Sequence, residues 1–363
     1  MMAIVGERSS CFKRVPLIER YRSFLPLSDS SPIVSLLEGF TPLVRVDRLA
    51  SRISDKITLY VKFEGMNPTG SFKDRWMTMA ISKAVEAGSK ATICASTGNT
   101  AASAAAYSAR AGLVCAVILP KGEVALCKVS QSIMHGAKVI AVDGNFDDAL
   151  RIVLEITENY PITLVNSLNP FRIDGQKTGA FEICDDLGHP PMYHAIPVGN
   201  AGNITAYWAG YRAYHEACVI YRLPIMLWFQ AAGSAPIVEG RPITNPKTIA
   251  TAIRIGNPAS WKQAEAARDE SGGLIEKVTD EEITEAQKLL AATEGIFCEP
   301  ASAASVAGVI KKASEGFFKT QCEVVCVLTG HGLKDPKRAI EICPPFIELP
   351  ADTDAVAREM KLI

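Results

Sequence analysis

The stretch NPTGSFKDR, residues 67–75, decides the fold because it joins a strand to a helix around a single lysine. The apolar run at 58–63 before it predicts a strand, and the helical period of 73–87 after it predicts a helix. The Pro-Thr-Gly sequence between them predicts a turn, and Ser71 is a natural N-cap for the helix. The segment is therefore a strand–turn–helix unit, the building block of a parallel sheet.

Lys73 falls in the first turn of that predicted helix. The amino end of a helix carries partial positive charge, and burial penalises an ammonium ion, so both effects should lower the pKa of this lysine. An amine with a lowered pKa is suited to act as a nucleophile or as a base. The alternative interpretation is a solvated lysine paired with its neighbour Asp74.

Short apolar runs alternate with segments of helical period over most of the chain. Such alternation predicts an α/β fold with parallel sheets and helices on both faces. Nine strands are too many for one compact unit, so we expect two sheets that share a cleft. The predicted helices include 73–87, 100–111, 147–158 and 204–217. The predicted strands are 58–63, 91–94, 115–119, 138–142, 163–165, 194–198, 225–229, 251–255 and 324–328.

Three further loops follow predicted strands, at the edge where open parallel sheets bind their ligands. The sequence ASTGNTAASAA at 95–106 suits either an anion site at a helix start or a capped Ala-rich helix. The sequence GNAGN at 199–203 allows close backbone approach and predicts a phosphate site. The sequence LTGHGLKDP at 328–336 suits either a ligand-facing loop with Thr329 or an ordinary Gly-rich connection, and we interpret His331 as part of the loop structure.

The composition limits the classes of function. The 363 residues carry 38 Lys and Arg against 39 Asp and Glu, so the net charge is −1. A chain with so little net charge has no overall positive field to bind nucleic acid or an anionic membrane, so any anion-binding site has to be local. The chain lacks a signal-peptide core and the run of about 20 apolar residues that a transmembrane helix needs. Ten cysteines without CxxC spacing and five histidines without ligand spacing argue against a metal site. We expect a cytoplasmic enzyme with no bound metal.

A buried lysine after a strand, a separate phosphate loop and a Ser/Thr/Asn loop form a set that resembles the pyridoxal-phosphate enzymes of fold type II, the tryptophan-synthase-β-like fold. Within that group the chain resembles the threonine synthase family. The resemblance runs from EGFTPL at 38–43 to LKDP at 333–336. Its most discriminating segments are NSLNPFRIDGQKTGAFEI at 166–183, AIRIGNPASW at 252–261 and TGHGLKDP at 329–336.

The resemblance implies a domain layout and an activity. It implies two interwoven three-layer α/β domains with mostly parallel sheets. Residues 1–57 and 173–363 are expected to form the larger domain, which binds the cofactor phosphate, and residues 58–172 the smaller, with Lys73 at the cleft. The implied reaction converts O-phospho-L-homoserine and water to L-threonine and phosphate with pyridoxal 5'-phosphate as cofactor. The implied assembly is a homodimer.

The resemblance also implies roles for individual residues. Lys73 resembles the lysine that binds the cofactor covalently and then moves protons, Asn99 the residue that contacts the ring hydroxyl, and Thr329 the one facing the ring nitrogen. The cofactor phosphate is expected at Gly199, Asn200, Ala201, Gly202 and Asn203. The carboxylate and phosphate of the substrate are expected at Ser96, Thr97, Thr100, Asn166 and Arg172.

Three residues depart from the pattern of that family, and they leave alternatives open. Trp76, Phe40 and Cys127 stand where the family commonly has a small residue, asparagine and glycine. Trp76 either crowds the cleft or is a packing substitution outside it. One alternative is a serine or threonine dehydratase with the same cofactor, which has no substrate phosphate for Arg172 and Asn166 to hold. The other is a non-catalytic cofactor-binding homologue.

Overall fold

The computed structural model describes residues 14–122 and 126–362, without the side chains of residues 126–128. This part of the chain forms ten strands and fourteen α-helices. The strands are β1 Leu43–Arg45, β2 Ile57–Phe63, β3 Ala91–Ala95, β4 Val114–Pro120, β5 Lys138–Val142, β6 Ile162–Leu164, β7 Tyr193–Pro197, β8 Ile225–Ala231, β9 Leu274–Val278 and β10 Cys322–Leu328. The helices are α1 Leu17–Arg20, α2 Asp47–Ile53, α3 Lys73–Glu86, α4 Asn99–Arg110, α5 Leu126–Met134, α6 Phe146–Asn159, α7 Arg172–Leu187, α8 Gly202–Glu216, α9 Pro236–Glu239, α10 Trp261–Ser271, α11 Asp280–Glu294, α12 Pro300–Ser314, α13 Pro336–Ile342 and α14 Thr353–Glu359.

The strands form two sheets. The larger sheet has six strands in the order β1-β2-β10-β7-β8-β9, and the smaller has four in the order β5-β4-β3-β6. Every pair is parallel except the edge pair β1–β2. The predicted α/β class with mostly parallel sheets is confirmed.

Eight of the nine predicted strands are present, and one is wrong. The segment predicted as a strand at 251–255 begins with a 3₁₀ turn, Thr251–Ile253. Its amides bond locally, with the amide of Ile253 donating to the carbonyl of Ala250 (2.9 Å), so they are not available to a neighbouring strand. Strands β1 and β9, both at edges of the larger sheet, were not predicted.

Helix α12 packs closely on the larger sheet through small residues. A Cβ at Gly308 would overlap the ring of Phe229 on β8, so the helix has room for glycine only at this position. The Ala and Ser residues around it are buried in the same way. The small residues of the segment EPASAASVAG, residues 299–308, therefore serve close packing of α12 on the sheet.

Helix α3, which begins at Lys73, is held by a buried ion network. The guanidinium of Arg75 donates to both carboxylate oxygens of Glu64 (2.6 and 2.7 Å) and to Glu182 on α7 (2.6 Å). The ammonium of Lys62 on β2 lies 3.1 Å from the same Glu182 carboxylate. Breaking one member would leave an uncompensated buried charge, so the network fixes α3 against β2 and α7.

Trp76 packs inside the protein and does not line the cavity described below. Its side chain is 1 % exposed and belongs to a hydrophobic cluster under the smaller sheet with Tyr107 and Val165. Its backbone faces α7, where a Cβ at Gly175 would overlap Trp76 Cα. Of the two interpretations of Trp76, the packing substitution is the one that the structure supports.

The structure leaves the predicted domain division and the departure at Cys127 untested. The predicted domain boundary between residues 57 and 58 falls within β2, which pairs with β10 in the larger sheet. The division into two domains stays a prediction. Over the ranges that the structure describes, none of the helices has the length and apolar character needed to span a membrane. The side chain of Cys127 lies outside the described residues.

Candidate active site

A cavity of about 390 Å³ lies at the carboxyl ends of strands from both sheets. Its wall includes Ala95 at the end of β3, Pro197 at the end of β7 and Thr329 just after β10. This is the edge at which parallel sheets bind ligands. The thirteen residues predicted as site residues all line it: Lys73, Ser96, Thr97, Asn99, Thr100, Asn166, Arg172, Gly199, Asn200, Ala201, Gly202, Asn203 and Thr329.

The turn before Lys73 is fixed by the loop after β10. The amide of Phe72 donates to the carbonyl of Thr329 (2.9 Å), and the backbones of Ser71 and Gly330 pair as an isolated bridge. The predicted N-cap at Ser71 is wrong, because the cap position is Phe72 and the Ser71 hydroxyl has no hydrogen-bond partner among the described residues. The start of the helix is therefore fixed by a backbone hydrogen bond to a distant loop rather than by a side-chain cap of its own.

The pKa of Lys73 is lowered to about 8. Burial of the amine is the main cause and the positive charge of Arg172 adds to it, whereas the negative charge of Glu299 acts in the opposite direction.

The alternative interpretation, in which Lys73 is solvated and paired with Asp74, is wrong. Asp74 is buried and accepts hydrogen bonds from the backbone and hydroxyl of Thr69 (2.7 and 2.6 Å) and from the hydroxyl of Ser103 (2.6 Å).

The Ser/Thr/Asn loop forms the start of α4. Gly98 occupies the cap position, so the helix begins at Asn99, and both Asn99 and Thr100 line the cavity. The amide of Gly98 donates to the hydroxyl of Ser96 (3.2 Å), which orders the loop. The loop thus combines a helix amino end with partly exposed hydroxyl groups, an arrangement suited to an anion.

The GNAGN loop forms the start of α8. Ala201 has a φ of +61°, a left-handed conformation that turns the chain so that α8 begins at Gly202. A Cβ at Gly199 would lie 2.9 Å from Ile253 Cα, so the loop backbone is packed against the segment after Ala250. The side-chain nitrogen and oxygen of Asn203 are buried and lack a hydrogen-bond partner within the described chain.

Arg172 begins α7 and lies against this loop. A Cβ at Gly202 would overlap its guanidinium, and its Nη2 donates to the hydroxyl of Ser260 (3.2 Å). Its Nε is buried without a hydrogen-bond partner in the part of the chain that the structure describes. Asn166 lines the same wall, with Oδ1 accepting from the amide of Leu168 (2.9 Å). The arginine proposed for the substrate is therefore also adjacent to the phosphate loop.

Thr329 is nearly buried, and its hydroxyl lies 2.9 Å from the hydroxyl of Ser302 on α12. The neighbouring His331 packs between Phe63 and Phe297, with ring centroids 5.7 and 6.0 Å away, and caps the following turn. This agrees with the interpretation of His331 as loop structure.

Sequence reasoning missed Glu299. It lines the cavity, is 2 % exposed, and accepts hydrogen bonds from Nδ2 of Asn99 (3.3 and 3.2 Å). The residues that follow Glu299 in EPASAASVAG are mostly small, and by pattern alone they predict a helix start that packs closely rather than a site. The signal that could have found Glu299 is a single acidic residue preceding an otherwise apolar helix start.

The cavity suits a phosphate-bearing cofactor with a reactive carbonyl. Unpartnered buried groups on Asn203 and Arg172 supply hydrogen-bond donors that an oxyanion would satisfy, as judged over the described residues. Gly202 gives backbone access where a side chain would not fit. Lys73 supplies an amine with a pKa of about 8. The donor set therefore fits pyridoxal phosphate, and the roles of individual residues stay predictions.

Comparisons with known proteins agree with this chemistry. A family model described as "Pyridoxal-phosphate dependent enzyme" matches residues 34–330. A threonine synthase of Synechocystis is 58% identical over 98% of this chain and 93% of its own length. A threonine synthase of Mycobacterium leprae is 53% identical over 99% of each chain.

Solved structures with low identity share the fold. A cysteine synthase of Entamoeba histolytica superposes with a TM-score of 0.74 at 18% identity, covering 96% of both chains. A threonine deaminase of Solanum lycopersicum gives a TM-score of 0.72 at 22% identity, covering 90% of this chain and 92% of its own. At this level of identity the likeness concerns the fold alone.

Proposed function

Because the chain belongs to the threonine synthase family of pyridoxal-phosphate-dependent enzymes, we propose that it converts O-phospho-L-homoserine and water to L-threonine and phosphate. The observation that carries the proposal is one cavity lined by a lysine of lowered pKa and by two separate loops that each begin a helix and suit an anion. One loop suits the cofactor phosphate, and the other, with Arg172, suits a substrate with two anionic ends.

Pyridoxal phosphate would be held from three sides. Lys73 would bind it covalently, and Asn99 and Thr329 would contact the ring oxygen and the ring nitrogen. When bound, the cofactor supplies an electron sink that stabilises negative charge at the substrate carbons. Its phosphate would lie on the loop formed by Gly199, Asn200, Ala201, Gly202 and Asn203.

The substrate needs donors at both of its anionic ends. Arg172 offers a planar guanidinium, which matches the oxygens of a phosphate group. Because Arg172 is buried, a phosphate bound to it would be held away from bulk water. The attraction between opposite charges is stronger in such a less polar environment. The carboxylate would be held by hydroxyl, amide and backbone N–H groups at Ser96, Thr97, Thr100 and Asn166.

Lys73 would move protons during the reaction. Its amine would take protons from Cα and then Cβ of the substrate. The Cγ–O bond would then break, with phosphate leaving with the bonding electrons and Cγ gaining a proton. Water would add its oxygen at Cβ and a proton would return to Cα, so the products are one threonine and one phosphate. A pKa of about 8 lets one lysine both accept and give a proton near neutral pH.

A dehydratase acting on serine or threonine is the rival with the same cofactor. It needs no group for a substrate phosphate, whereas this cavity contains the buried guanidinium of Arg172. The test is to load the protein with pyridoxal phosphate, supply O-phospho-L-homoserine, and measure phosphate and threonine together. Equal amounts of both products are expected. Formation of 2-oxobutyrate from threonine, without phosphate release from O-phospho-L-homoserine, would support the rival.

We also propose, on the family resemblance alone, that the protein is a cytoplasmic homodimer. The proposal has a direct test in the mass of the protein in solution. Light scattering coupled to gel filtration is expected to give twice the 39.1 kDa of one chain. A mass equal to one chain would contradict the dimer and would leave the proposed activity untouched, because the residues named for it belong to a single chain.

A further inference from the structure

Glu299 occupies the wall of the cavity although no step of the proposed reaction uses it. Its backbone amide donates to the carbonyl of Gly330 (3.0 Å), and it stands immediately before α12. A Cβ at Gly330 would overlap the Glu299 carboxylate, so the carboxylate rests directly against the turn after β10. The Glu299 side chain therefore packs against this turn at the cavity wall.

The carboxylate of Glu299 contacts the amide of Asn99 across 200 residues of sequence. Nδ2 of Asn99 donates to Oε1 at 3.3 Å and to Oε2 at 3.2 Å. An ionised carboxylate can only accept, so it selects the amide orientation with Nδ2 toward Glu299 and disfavours the flipped one. A primary amide has two N–H groups, so when one is shared between the two carboxylate oxygens the other remains for a ligand in the cavity.

We propose that Glu299 is a positioning residue that fixes the Asn99 amide so that it presents an N–H to the ring oxygen of pyridoxal phosphate. The inference rests on the proposed function, because it requires the cofactor in this cavity. Without Glu299 the amide has two orientations of similar energy, and only one of them donates to the ring oxygen. The cofactor would therefore bind more weakly, although no residue that touches it has changed.

The electrostatics of the site place Glu299 near the reacting lysine as well. Its negative charge raises the pKa of Lys73, against burial and the charge of Arg172, which lower it. Glu299 therefore hydrogen-bonds the amide of Asn99 and acts by its charge on the amine of Lys73.

The test measures cofactor binding to the protein freed of cofactor, by absorbance titration with pyridoxal phosphate and no substrate. Glu299→Gln is expected to raise the apparent dissociation constant about twofold, because the glutamine amide can accept or donate and leaves about half of the Asn99 side chains oriented toward the ring oxygen. In an Asn99→Ala background the same change is expected to have a smaller effect, because only the influence of the Glu299 charge on Lys73 then remains. Equal effects of Glu299→Gln in both backgrounds, or no effect in either, would overturn the proposal.

Two further variants keep the test decisive. Glu299→Asp retains a favourable residue at the helix start but withdraws the carboxylate from Asn99, so it is expected to fold and to weaken cofactor binding similarly. Glu276→Gln, on β9 outside the cavity wall, removes the same charge and is expected to leave the dissociation constant unchanged. Tight binding by Glu299→Asp would contradict the inference. The proposed function is judged separately, by phosphate and threonine release from the unaltered protein.

Discussion

The guanidinium of Arg172 lies beside Cα of Gly202 so closely that a Cβ there would overlap Nη1. Arg172 begins α7 and Gly202 begins α8, so this contact brings two helix amino ends and one cation to the same cavity wall. Each of these groups attracts negative charge. The contact also explains why the fourth position of GNAGN is glycine: any side chain there would displace the arginine.

Gly202→Ala is expected to push Arg172 away from the loop and raise the KM for O-phospho-L-homoserine at least about tenfold. Alanine suits a helix start better than glycine, so the midpoint of thermal unfolding should not fall. Steady-state kinetics and thermal unfolding check both statements. With saturating cofactor in an Arg172→Ala background, the glycine change should have little further effect on the KM for substrate, and a further tenfold rise there would show that displacement of Arg172 is not the cause.

Arg172→Lys is expected to lower kcat/KM about 10- to 100-fold, mostly through KM, because lysine keeps the charge and loses the planar fork. Initial rates of phosphate release at varied substrate concentration measure the effect. Arg212→Lys is the matched control, since Arg212 is an exposed residue of α8 that pairs with Glu216 and Glu270. An unchanged KM in Arg172→Lys would remove Arg172 from the substrate site.

The pKa of Lys73 predicts how fast the protein takes up its cofactor at different pH values. Only the neutral amine can attack the carbonyl of pyridoxal phosphate, so uptake should be slow at low pH, rise through a midpoint at about pH 8 and then level off. Stopped-flow absorbance after mixing cofactor-free protein with pyridoxal phosphate gives the profile. A rate that still rises near the ordinary lysine pKa of 10.5 would contradict the environment described for Lys73.

Trp76→Phe is expected to destabilise the protein by about 1–3 kcal/mol, because it leaves a gap in a packed core. The value of kcat/KM should change little, since Trp76 lies in the cluster with Tyr107 and does not line the cavity. Denaturant unfolding and steady-state kinetics on the same preparation separate the two effects. A large fall in kcat/KM with unchanged stability would place Trp76 in the cleft after all.

The larger part of the fold follows from local pattern. Strands such as β2 and β10 were predicted because buried parallel strands are continuous apolar runs bounded by turns. Edge strand β9, with the sequence LIEKV, carries two charges and lacks that signal. The segment 251–255 has the apolar pattern of a strand but bonds locally along the cavity wall. The apolar pattern of a segment does not show whether that segment pairs with a neighbouring strand.

The parts of the candidate site that could be predicted are reactive or anion-binding residue types that stand directly between a strand and a helix. Lys73 and GNAGN each follow a strand and begin a helix, so their position at the ligand-binding edge follows from sequence. The role of Phe72 as cap and the contact of Glu299 with Asn99 were not predictable. Both depend on segments more than 190 residues away, which meet only in the folded chain.

The most direct test of the central claim is the reaction of O-phospho-L-homoserine in water labelled with oxygen-18. If phosphate leaves with its bridging oxygen and water adds at Cβ, mass spectrometry will find one labelled oxygen in threonine and none in the phosphate released. The label should be absent from all products with Lys73→Ala. Label in the phosphate, with homoserine as the organic product, would show hydrolysis at phosphorus and contradict the account.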